Sequence, residues 1–418
     1  MQSPRPDPLP RLRPVDAKWL GQDGAPMLAL QDPLGLHPDT LALRHPFQLI
    51  AALCDGKHTV ERVAAELGEA IGIPIEAELI AHVVRQLDEH YLLDNARARL
   101  RRAEALREYR AGGSRPLSHA DAVYPSDPAV LRMLLDGFGF SADGQQQPAG
   151  RLTFVLSPHI DYRRGGDLYA ATWSAAAAAA RSADLAVVLG TDHYGGPAML
   201  TLTRVPYATP LGPLPLPAEA VERLAAALGE DAAFAEELHH RREHSIELAG
   251  VWLHHARGGQ PLPLLPVLCG SFHPFTSGDQ RPEDHPRLSR FLDALAEITA
   301  GKRVLVVAAA DLAHVGPTFN DAEALDDDAR SRLARADECL LAPVLAGDAA
   351  AFLEELVAER DARKVCGLPP TYLALRLLQL AEGGPLAARQ CGYKQAPADA
   401  DGGYGSVVSI AGVVLAAG

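Results

Sequence analysis

Five short apolar segments alternate with alanine- and leucine-rich segments over residues 151–418. The five segments are rich in β-branched residues, and they are LTFVLSP at 152–158, DLAVVLGT at 184–191, LPLLPVLCG at 262–270, KRVLVVAAAD at 302–311 and SVVSIAGVVL at 406–415. Runs of this kind are typical of strands that are buried on both faces of a sheet. The alternation therefore predicts an α/β fold in which a central, mostly buried sheet is flanked by helices.

Composition divides the chain into four zones. Residues 1–15 form a proline-rich lead-in that is not expected to pack, and residues 16–95 form a small domain. Residues 96–150 form a linker with an arginine-rich helix. We expect this helix to be solvated, and contact with an acidic partner is the less favoured alternative. Glutamines 145–147 continue the linker, and residues 151–418 form the α/β domain.

The small domain is predicted to contain strands followed by helices. Residues 18–35 predict two strands joined by the turn Gln22-Asp23-Gly24. One helix is predicted from Pro46 to Leu53, a second begins after Thr59 as its N-cap, and a third contains the apolar positions of 80–87. Two strands and three short helices in about 80 residues indicate a winged-helix-like domain.

Charge and composition exclude several classes of protein. The chain carries 39 Lys and Arg against 53 Asp and Glu, a net charge of −14, which argues against non-specific nucleic-acid binding. The most apolar stretch, residues 175–190, is interrupted by Arg181 and Asp184, so no membrane span is predicted. The start of the chain lacks the apolar core of a secretory signal, and five scattered cysteines suit reduced thiols. We therefore expect a cytoplasmic protein.

Histidines follow three of the predicted strands. His159 follows the first strand and His193 the second, and the strand at 303–310 is followed by Asp311 and then His314. The carboxyl ends of strands meet at one edge of a doubly wound sheet, where ligands bind. A single histidine at such a position most often has a structural role. Three histidines in equivalent positions instead favour a metal site or an acid–base site.

Cys366 is a further candidate ligand, because it lies in a turn before a predicted helix. A helix amino terminus lowers the pKa of a thiol and favours the thiolate, which is the form that binds metals. Two imidazoles and one anionic ligand leave coordination positions open on iron, copper or zinc. The segment Glu243-His244-Ser245-Ile246-Glu247 adds His244 to the candidates.

One competing motif spans residues 240–244. His240-Arg241-Arg242-Glu243-His244 matches H-x-x-E-H, an inverted zinc-protease signature, but short patterns of this kind also arise by chance. We therefore expect His240 to be a surface residue. Cys54, Cys269 and Cys339 are interpreted as small core residues. The chain contains no P-loop, no G-x-G-x-x-G after a strand and no G-x-S-x-G elbow.

Residues from about 150 to 418 resemble the Memo family, the B component of the AmmeMemoRadiSam system. The six matching motifs occur in order, and they are Pro158-His159-Ile160-Asp161-Tyr162, Gly190-Thr191-Asp192-His193, Glu243-His244-Ser245-Ile246-Glu247, Pro266-Val267-Leu268-Cys269-Gly270, Asp311-Leu312-Ala313-His314-Val315-Gly316 and Cys366-Gly367. The family is similar in fold to class III extradiol dioxygenases. The resemblance therefore implies a mononuclear metal, iron or copper.

The resemblance also implies roles for individual residues. His159, His193 and Cys366 would be the metal ligands. Asp311 and His314 would form an adjacent acid–base pair, and His244 would be a further pocket residue. Where the family has Ala-Gly, this chain has Ile160-Asp161, which places an additional carboxylate, Asp161, near the expected metal.

The small domain has a weaker resemblance of its own. Residues 53–60, 63–67 and 87–93 look like parts of PqqD-type domains, which are winged-helix-like and bind precursor peptides. This resemblance implies a precursor peptide as a partner of the chain, and a radical-SAM protein as another. A winged helix that only packs on the α/β domain is the alternative.

The leading hypothesis is a non-haem metal oxidoreductase of dioxygenase-like type. It would bind iron, with copper or zinc as alternatives, and act on a peptide or a small aromatic substrate. His314, oriented by Asp311, would move protons as the general acid–base. Two alternatives stay open: a non-catalytic protein that binds metal and peptide, and a zinc-dependent hydrolase.

Overall fold

The structure, a computed structural model, describes residues 7–21, 26–143, 150–278, 280–381 and 386–417. The chain divides into two compact units, one up to residue 111 and one from residue 112 onward. The turn expected at 22–24 and the glutamines at 145–147 lie outside the described residues.

The first unit consists of three strands followed by helices: β1 (Asp16–Leu20), β2 (Met27–Gln31), β3 (Leu41–Arg44), α1 (Gln48–Leu53), α2 (Val60–Ile71), α3 (Ala77–Glu89) and α4 (Ala96–Ala111). β2 lies between β1 and β3 and is antiparallel to both. β3 is absent from the sequence-based prediction, because four residues are too few to show a clear alternation. The predicted N-cap of α2 is confirmed, since Thr59 Oγ1 accepts a hydrogen bond from Arg62 N–H at 3.4 Å.

The described part of the lead-in packs in the first unit. Leu9 is buried, and the N–H groups of Leu9 and Leu12 donate to the carbonyls of His58 and Cys54. The expectation that this segment does not pack is therefore wrong for residues 7–15. Its apolar side chains join the core of the small unit, which has few other residues with which to bury apolar surface.

α4 belongs to the first unit and buries one narrow side, whereas most of its other residues are exposed, in line with the predicted solvated helix. Ala105 and Tyr109 are buried on one side of it. Arg101 borders this side, donates a hydrogen bond to the carbonyl of Leu36 at 3.4 Å and forms an ion pair with Glu108 at 2.9 Å. The arginine-rich composition hides the buried side, because small and aromatic residues interrupt the charges only at a few positions.

The second unit contains the remaining elements: α5 (Pro128–Gly137), β4 (Leu152–Ser157), α6 (Tyr162–Ser182), β5 (Leu185–Thr191), β6 (Leu200–Leu202), β7 (Tyr207–Thr209), β8 (Gly212–Leu214), α7 (Ala218–Leu228), α8 (Glu230–Ala233), α9 (His244–Ala256), β9 (Leu264–Cys269), α10 (His273–Thr276), α11 (Pro286–Thr299), β10 (Val304–Ala309), β11 (His314–Val315), α12 (Asp327–Ala346), α13 (Ala349–Ala358), α14 (Leu368–Ala381), β12 (Leu386–Pro397) and β13 (Val407–Ala417). Short 3₁₀ turns cover Glu237–Arg241, Pro282–Asp284 and Pro317–Phe319. Among the described helices, none combines the length and the apolar character that crossing a bilayer requires.

An eight-stranded mixed sheet forms the centre of the second unit. Its strand order is β11-β13-β4-β10-β5-β9-β6, and β12 pairs with β13. β4, β10, β5 and β9 run parallel to one another, whereas β13 is antiparallel to β4 and β6 is antiparallel to β9. The predicted α/β fold with a central sheet flanked by helices is confirmed.

The strands β4, β5, β9, β10 and β13 of this sheet are buried on both faces. Phe154 of β4 points into one apolar cluster together with Leu292 of α11 and Leu373 of α14. Its neighbour Val155 points into the opposite cluster, which contains Trp252 of α9 and residues of α6. Successive side chains of a strand point to opposite faces, so continuous apolar runs are what two covered faces require.

β12 is the longest strand that the apolar pattern does not predict. It carries polar residues such as Arg389, Gln390 and Lys394 and is mostly half-exposed. Among the described strands it pairs only with β13, on the side of β13 that faces away from β4, so it is an edge strand. Its outer side faces solvent, and a sequence search for buried strands therefore passes over it.

Gly367 marks a close approach between the turn before α14 and the end of β10. Its N–H donates to the carbonyl of Asp311 at 3.0 Å. A Cβ at this position would lie 2.6 Å from the Cβ of Ala310 and would also crowd the Asp311 carbonyl. Glycine therefore allows Cys366 to reach the strand end that carries Asp311.

Replacing Gly367 with Ala should lower the free energy of unfolding by about 1–3 kcal/mol, because crowding in a closely packed region forces the backbone to shift. Urea denaturation of the full chain measures the effect. Gly137→Ala is the matched control, since no atom lies within 4 Å of its Cβ position at the exposed end of α5. Equal stability of the Gly367 variant and the wild type would contradict this close approach.

Candidate metal centre

Three neighbouring parallel strands place polar side chains at one edge of the sheet. β10 lies between β4 and β5, and Ala309 pairs with Ser157 on one side and Gly190 on the other. His159, Asp311 and His193 each follow shortly after the end of their strand. Because the three strands are parallel and in register, these residues come together although they are far apart along the chain.

His159, His193 and Cys366 form a compact group. The ring centroids of the two histidines are 5.0 Å apart, and Cys366 Sγ lies 3.3 Å from His159 Nε2. One ligand atom of each residue lies within 4.8 Å of the others. The predicted triad therefore meets at one point, with two nitrogen donors and one sulfur donor.

A hydrogen bond on Nδ1 fixes the orientation of each imidazole. His159 Nδ1 lies 2.9 Å from the carbonyl oxygen of Ala309, and His193 Nδ1 lies 3.0 Å from Oε1 of Glu243. A carbonyl can only accept a hydrogen bond, so His159 donates through Nδ1, and Nε2 is the nitrogen that would bind a metal ion once it has lost its proton. The same arrangement on metal-ligating histidines fixes the tautomer and raises ligand basicity.

Glu243 connects His193 to His244. It is the N-cap of α9, and its Oε2 accepts a hydrogen bond from the backbone N–H of His193 at 2.9 Å. Its other oxygen lies 3.1 Å from His244 Nδ1, and the two imidazole rings stack at 4.7 Å. Burial alone would raise the pKa of Glu243, but the charges of His193 and His244 hold it well below its usual range. Burial lowers the pKa of His244.

Cys366 lies in the turn directly before α14, as predicted. Burial would raise the pKa of its thiol, but the positive charges of His159 and His314 lower it well below its usual range. Burial would likewise lower the pKa of His159, and the charges of Asp311 and Cys366 outweigh this effect and raise it to about 9. The surroundings therefore favour the thiolate form of Cys366, which is the form that binds metals.

Asp311 supports His159 rather than His314. Its Oδ1 accepts a hydrogen bond from the His159 backbone N–H at 2.8 Å, and its Oδ2 lies 3.8 Å from His159 Nε2. His314 Nδ1 lies 3.1 Å from the carbonyl of Leu312, and its ring contacts Phe319. Within the described part of the chain, Asp311 makes no hydrogen bond to His314. The expectation that Asp311 orients His314 is therefore wrong, because the strand end directs the carboxylate towards His159.

Asp161 has a structural role at the start of α6. Its carboxylate accepts a hydrogen bond from the backbone N–H of Arg164 and forms an ion pair with the guanidinium of the same residue at 2.6 Å. It belongs to none of the groups of metal-ligating side chains found among the described residues. The expectation of an additional carboxylate at the metal is therefore not met.

His240 is buried, so the prediction of a surface residue is wrong. Its Nδ1 contacts the hydroxyl of Tyr207 at 2.9 Å, and its Nε2 lies 2.9 Å from the carbonyl of Thr201. Both ring nitrogens are therefore engaged, which excludes the protease-like pairing of His240 with His244. Cys339 is exposed, contrary to the core assignment, whereas Cys54 and Cys269 are buried as predicted.

A group of buried polar contacts around Glu247 lies next to the site. The sequence analysis did not predict it, because its residues are far apart in the chain. Glu247 of α9 is buried and forms an ion pair with Arg115 at 2.7 Å. His119 Nδ1 lies 2.7 Å from Oε2 of Glu247, and the Tyr124 hydroxyl donates to Oε1. The His119 ring lies 5.8 Å from that of His244. The one feature of the sequence that points to these contacts is Glu247, which ends the motif Glu243-His244-Ser245-Ile246-Glu247.

A cavity of about 290 Å³ opens beside the triad. His193 and Cys366 form part of its wall, and Ser271, His273 and Lys364 form part of the remainder. Phe272 and the start of α14 contribute apolar side chains to the lining, and Asp192 and Asp361 contribute carboxylates. A small molecule or the side chain of a larger one therefore has direct access to the two ligands.

The two histidines and the cysteine, together with the hydrogen bonds on the Nδ1 atoms of the histidines, fit a borderline metal ion such as iron, copper or zinc. Sheet and site together define the class: an α/β protein with two histidines and a cysteine at the carboxyl edge of parallel strands. Residues 115–414 match the family model described as Memo-like protein. The chain belongs to this family.

Relatives in three organisms support the family over most of the chain. A MEMO1 family protein of Aquifex aeolicus is 26% identical over 325 residues, which cover 77% of this chain and 80% of that protein. A MEMO1 family protein of Thermus thermophilus is 27% identical over 337 residues, 79% and 93% of the two chains. One of Methanopyrus kandleri is 27% identical over 312 residues, 72% and 98%.

Replacing Glu247 with Gln should lower the free energy of unfolding by about 3–5 kcal/mol at pH 7, because the buried charge of Arg115 loses its partner. Burial alone would raise the pKa of Glu247, but Arg115, His119 and Tyr124 lower it from 4.5 to about 2. The stabilisation is therefore complete above pH 4.5 and is lost as the pH falls towards 2.

Urea denaturation of the wild type and the Glu247→Gln variant between pH 7 and pH 2 measures this difference. Glu222→Gln, which removes an exposed ion pair with Arg204, is the matched control and should cost less than about 1 kcal/mol. A stability difference for Glu247→Gln that stays constant down to pH 2 would show that its carboxylate is not ion-paired in the folded protein.

Proposed function

We propose that this protein is a non-haem metal-dependent oxidoreductase in which His159, His193 and Cys366 hold one metal ion. Iron is the proposed metal, with copper or zinc as alternatives. One observation carries the proposal: two imidazoles, each fixed through Nδ1, converge with a cysteine whose surroundings favour the thiolate. Three protein ligands leave coordination positions open, which a catalytic site requires.

The remaining residues act around the metal. Bound iron supplies Lewis acidity and one-electron redox chemistry. Asp311 holds His159 in place by accepting a hydrogen bond from its backbone N–H. Glu243 holds His193 in place through a hydrogen bond with its ring. His314 and His244 are the proposed proton donors and acceptors, because both lie close to the triad.

The proposed substrate is a peptide or a small aromatic compound. The cavity beside the triad combines apolar side chains with several polar and charged groups, which could orient a small molecule or a peptide side chain. In this proposal the first unit recruits a precursor peptide as PqqD-type domains do, and a radical-SAM protein acts in the same pathway. The first unit consists of a three-stranded sheet followed by helices, which is compatible with binding a precursor peptide.

Replacing His159 with Ala or Cys366 with Ser should reduce the metal content of the purified protein from about one equivalent to near zero, because each change removes one of three ligands. Elemental analysis of protein purified without added metal measures the content. Cys391→Ser is the matched control, since Cys391 is also half-buried but belongs to no ligand group among the described residues. Full metal content in both ligand variants would refute the proposed site.

Protein loaded with iron under anaerobic conditions should consume O₂ when a catechol is added, and the Cys366→Ser variant should not. An oxygen electrode measures the consumption, and zinc-loaded protein is the control because zinc has no redox chemistry. Binding of a leader-like peptide without oxygen uptake would favour the non-catalytic alternative. Hydrolytic activity with zinc and indifference to O₂ would favour the hydrolase.

A further inference from the structure

One carboxylate in the wall of the cavity beside the triad has no ionic partner within the described residues. The described lining contains two carboxylates, those of Asp192 and Asp361. Asp192 Oδ2 lies 2.7 Å from His239 Nδ1, and Asp192 Oδ1 accepts a hydrogen bond from the N–H of Tyr194 at 3.1 Å. The carboxylate of Asp361 accepts one hydrogen bond, at Oδ1 from the N–H of Val365 at 2.8 Å. Oδ2 of Asp361 is therefore available to a molecule in the cavity.

Two basic residues that follow Asp361 in the chain are paired with other carboxylates. Arg363 forms an ion pair with Asp337, and Lys364, which also lines the cavity, forms one with Asp321. Within the described chain, no lysine or arginine forms an ion pair with Asp361. Burial raises the pKa of Asp361 to about 6, because the anion there is poorly solvated. A cation from a ligand would therefore stabilise this carboxylate.

The turn that carries Asp361 is fixed by hydrogen bonds to its surroundings. Asp361 and Lys364 adopt left-handed backbone conformations with φ of 51° and 54°. Such conformations persist where the surrounding structure over-determines them, which is frequent at ligand sites. Here the N–H of Asp361 donates to the carbonyl of Leu356, and the carbonyl of Arg363 accepts from the N–H of His314, both at 2.8 Å. The carboxylate is therefore held in position before a ligand binds.

We propose that Asp361 binds the ammonium group of a small, amine-bearing substrate. The other end of the substrate is placed at His193 and Cys366, which line the same cavity, so this role of Asp361 rests on the proposed function. A volume of about 290 Å³ suits a small molecule that reaches from the carboxylate to the triad. An ammonium group supplies the positive charge that Asp361 lacks, whereas a neutral or anionic group of the same size does not.

Binding of two catechols that differ in one charged group tests the proposal. Dopamine carries a protonated amine, and 4-ethylcatechol has the same skeleton without it. Zinc-loaded protein is used, because zinc has no redox chemistry and turnover is prevented. By isothermal titration, wild-type protein should bind dopamine about tenfold more tightly than 4-ethylcatechol, as expected for a hydrogen bond between charged groups. Asp361→Asn should abolish this preference and leave the affinity for 4-ethylcatechol unchanged.

The Asp361→Asn variant is structurally conservative. An asparagine oxygen can still accept the hydrogen bond from the N–H of Val365, and asparagine tolerates the left-handed backbone. Glu355→Gln is the matched control, because Glu355 is an exposed carboxylate of the nearby helix α13 and does not line the cavity. This control should keep the preference for dopamine.

Metal-free protein gives a second readout, which depends neither on the proposed metal nor on turnover. Methanethiosulfonates modify the thiolate of Cys366, and the aminoethyl reagent is cationic whereas the sulfonatoethyl reagent is anionic. The ratio of the two modification rates at Cys366, followed by mass spectrometry, should fall about threefold in Asp361→Asn and stay unchanged in Glu355→Gln. Because it compares two reagents, the ratio is insensitive to a change in the reactivity of the thiol itself.

An unchanged dopamine preference or an unchanged rate ratio in Asp361→Asn would overturn the role of Asp361. If neither catechol binds to zinc-loaded wild-type protein, the proposed metal centre fails, and the rate ratio alone then decides whether Asp361 attracts an ammonium group. The failure of one proposal is therefore distinguishable from the failure of the other.

Discussion

The in-register parallel pairing of β4, β10 and β5 is the constraint on which the rest of the site depends. It places His159, Asp311 and His193 at one edge, although more than a hundred residues separate the first from the second. A shift of one residue in this pairing would turn every side chain of a strand to the opposite face. The apolar contacts on both faces of the sheet therefore also set the positions of the polar residues at its edge.

Each buried charge at this edge has a partner on another element. Glu243 contacts two imidazoles, Asp311 accepts a hydrogen bond from a backbone N–H, and Glu247 pairs with Arg115. Buried charges are costly unless they are paired in this way. The polar groups consequently stabilise the site only as a set, and they hold the imidazoles in one orientation before any ligand binds.

The strands of the central sheet could be predicted because burial on both faces demands continuous apolar runs. β3 and β12 could not, since one is too short and the other has a polar, half-exposed side. Histidines and a cysteine at strand and helix ends pointed to a metal site or an acid–base site, and the resemblance to the Memo family then selected His159, His193 and Cys366 as ligands. The partners of Glu247 depend on tertiary contacts, and no local pattern marks them. His240 and Cys339 show the same limit, because periodicity does not reveal which side of a turn or helix is covered.

The partners of Glu247 also determine how far the chain can be shortened. Arg115, His119 and Tyr124 all precede β4, which begins at Leu152. A truncation that keeps every strand of the large sheet but starts at residue 151 would strip a buried carboxylate of its cation and of two further hydrogen-bond donors. A shortened chain that keeps all the contacts of Glu247 must therefore begin at or before Arg115, the residue at which the match to the family also begins.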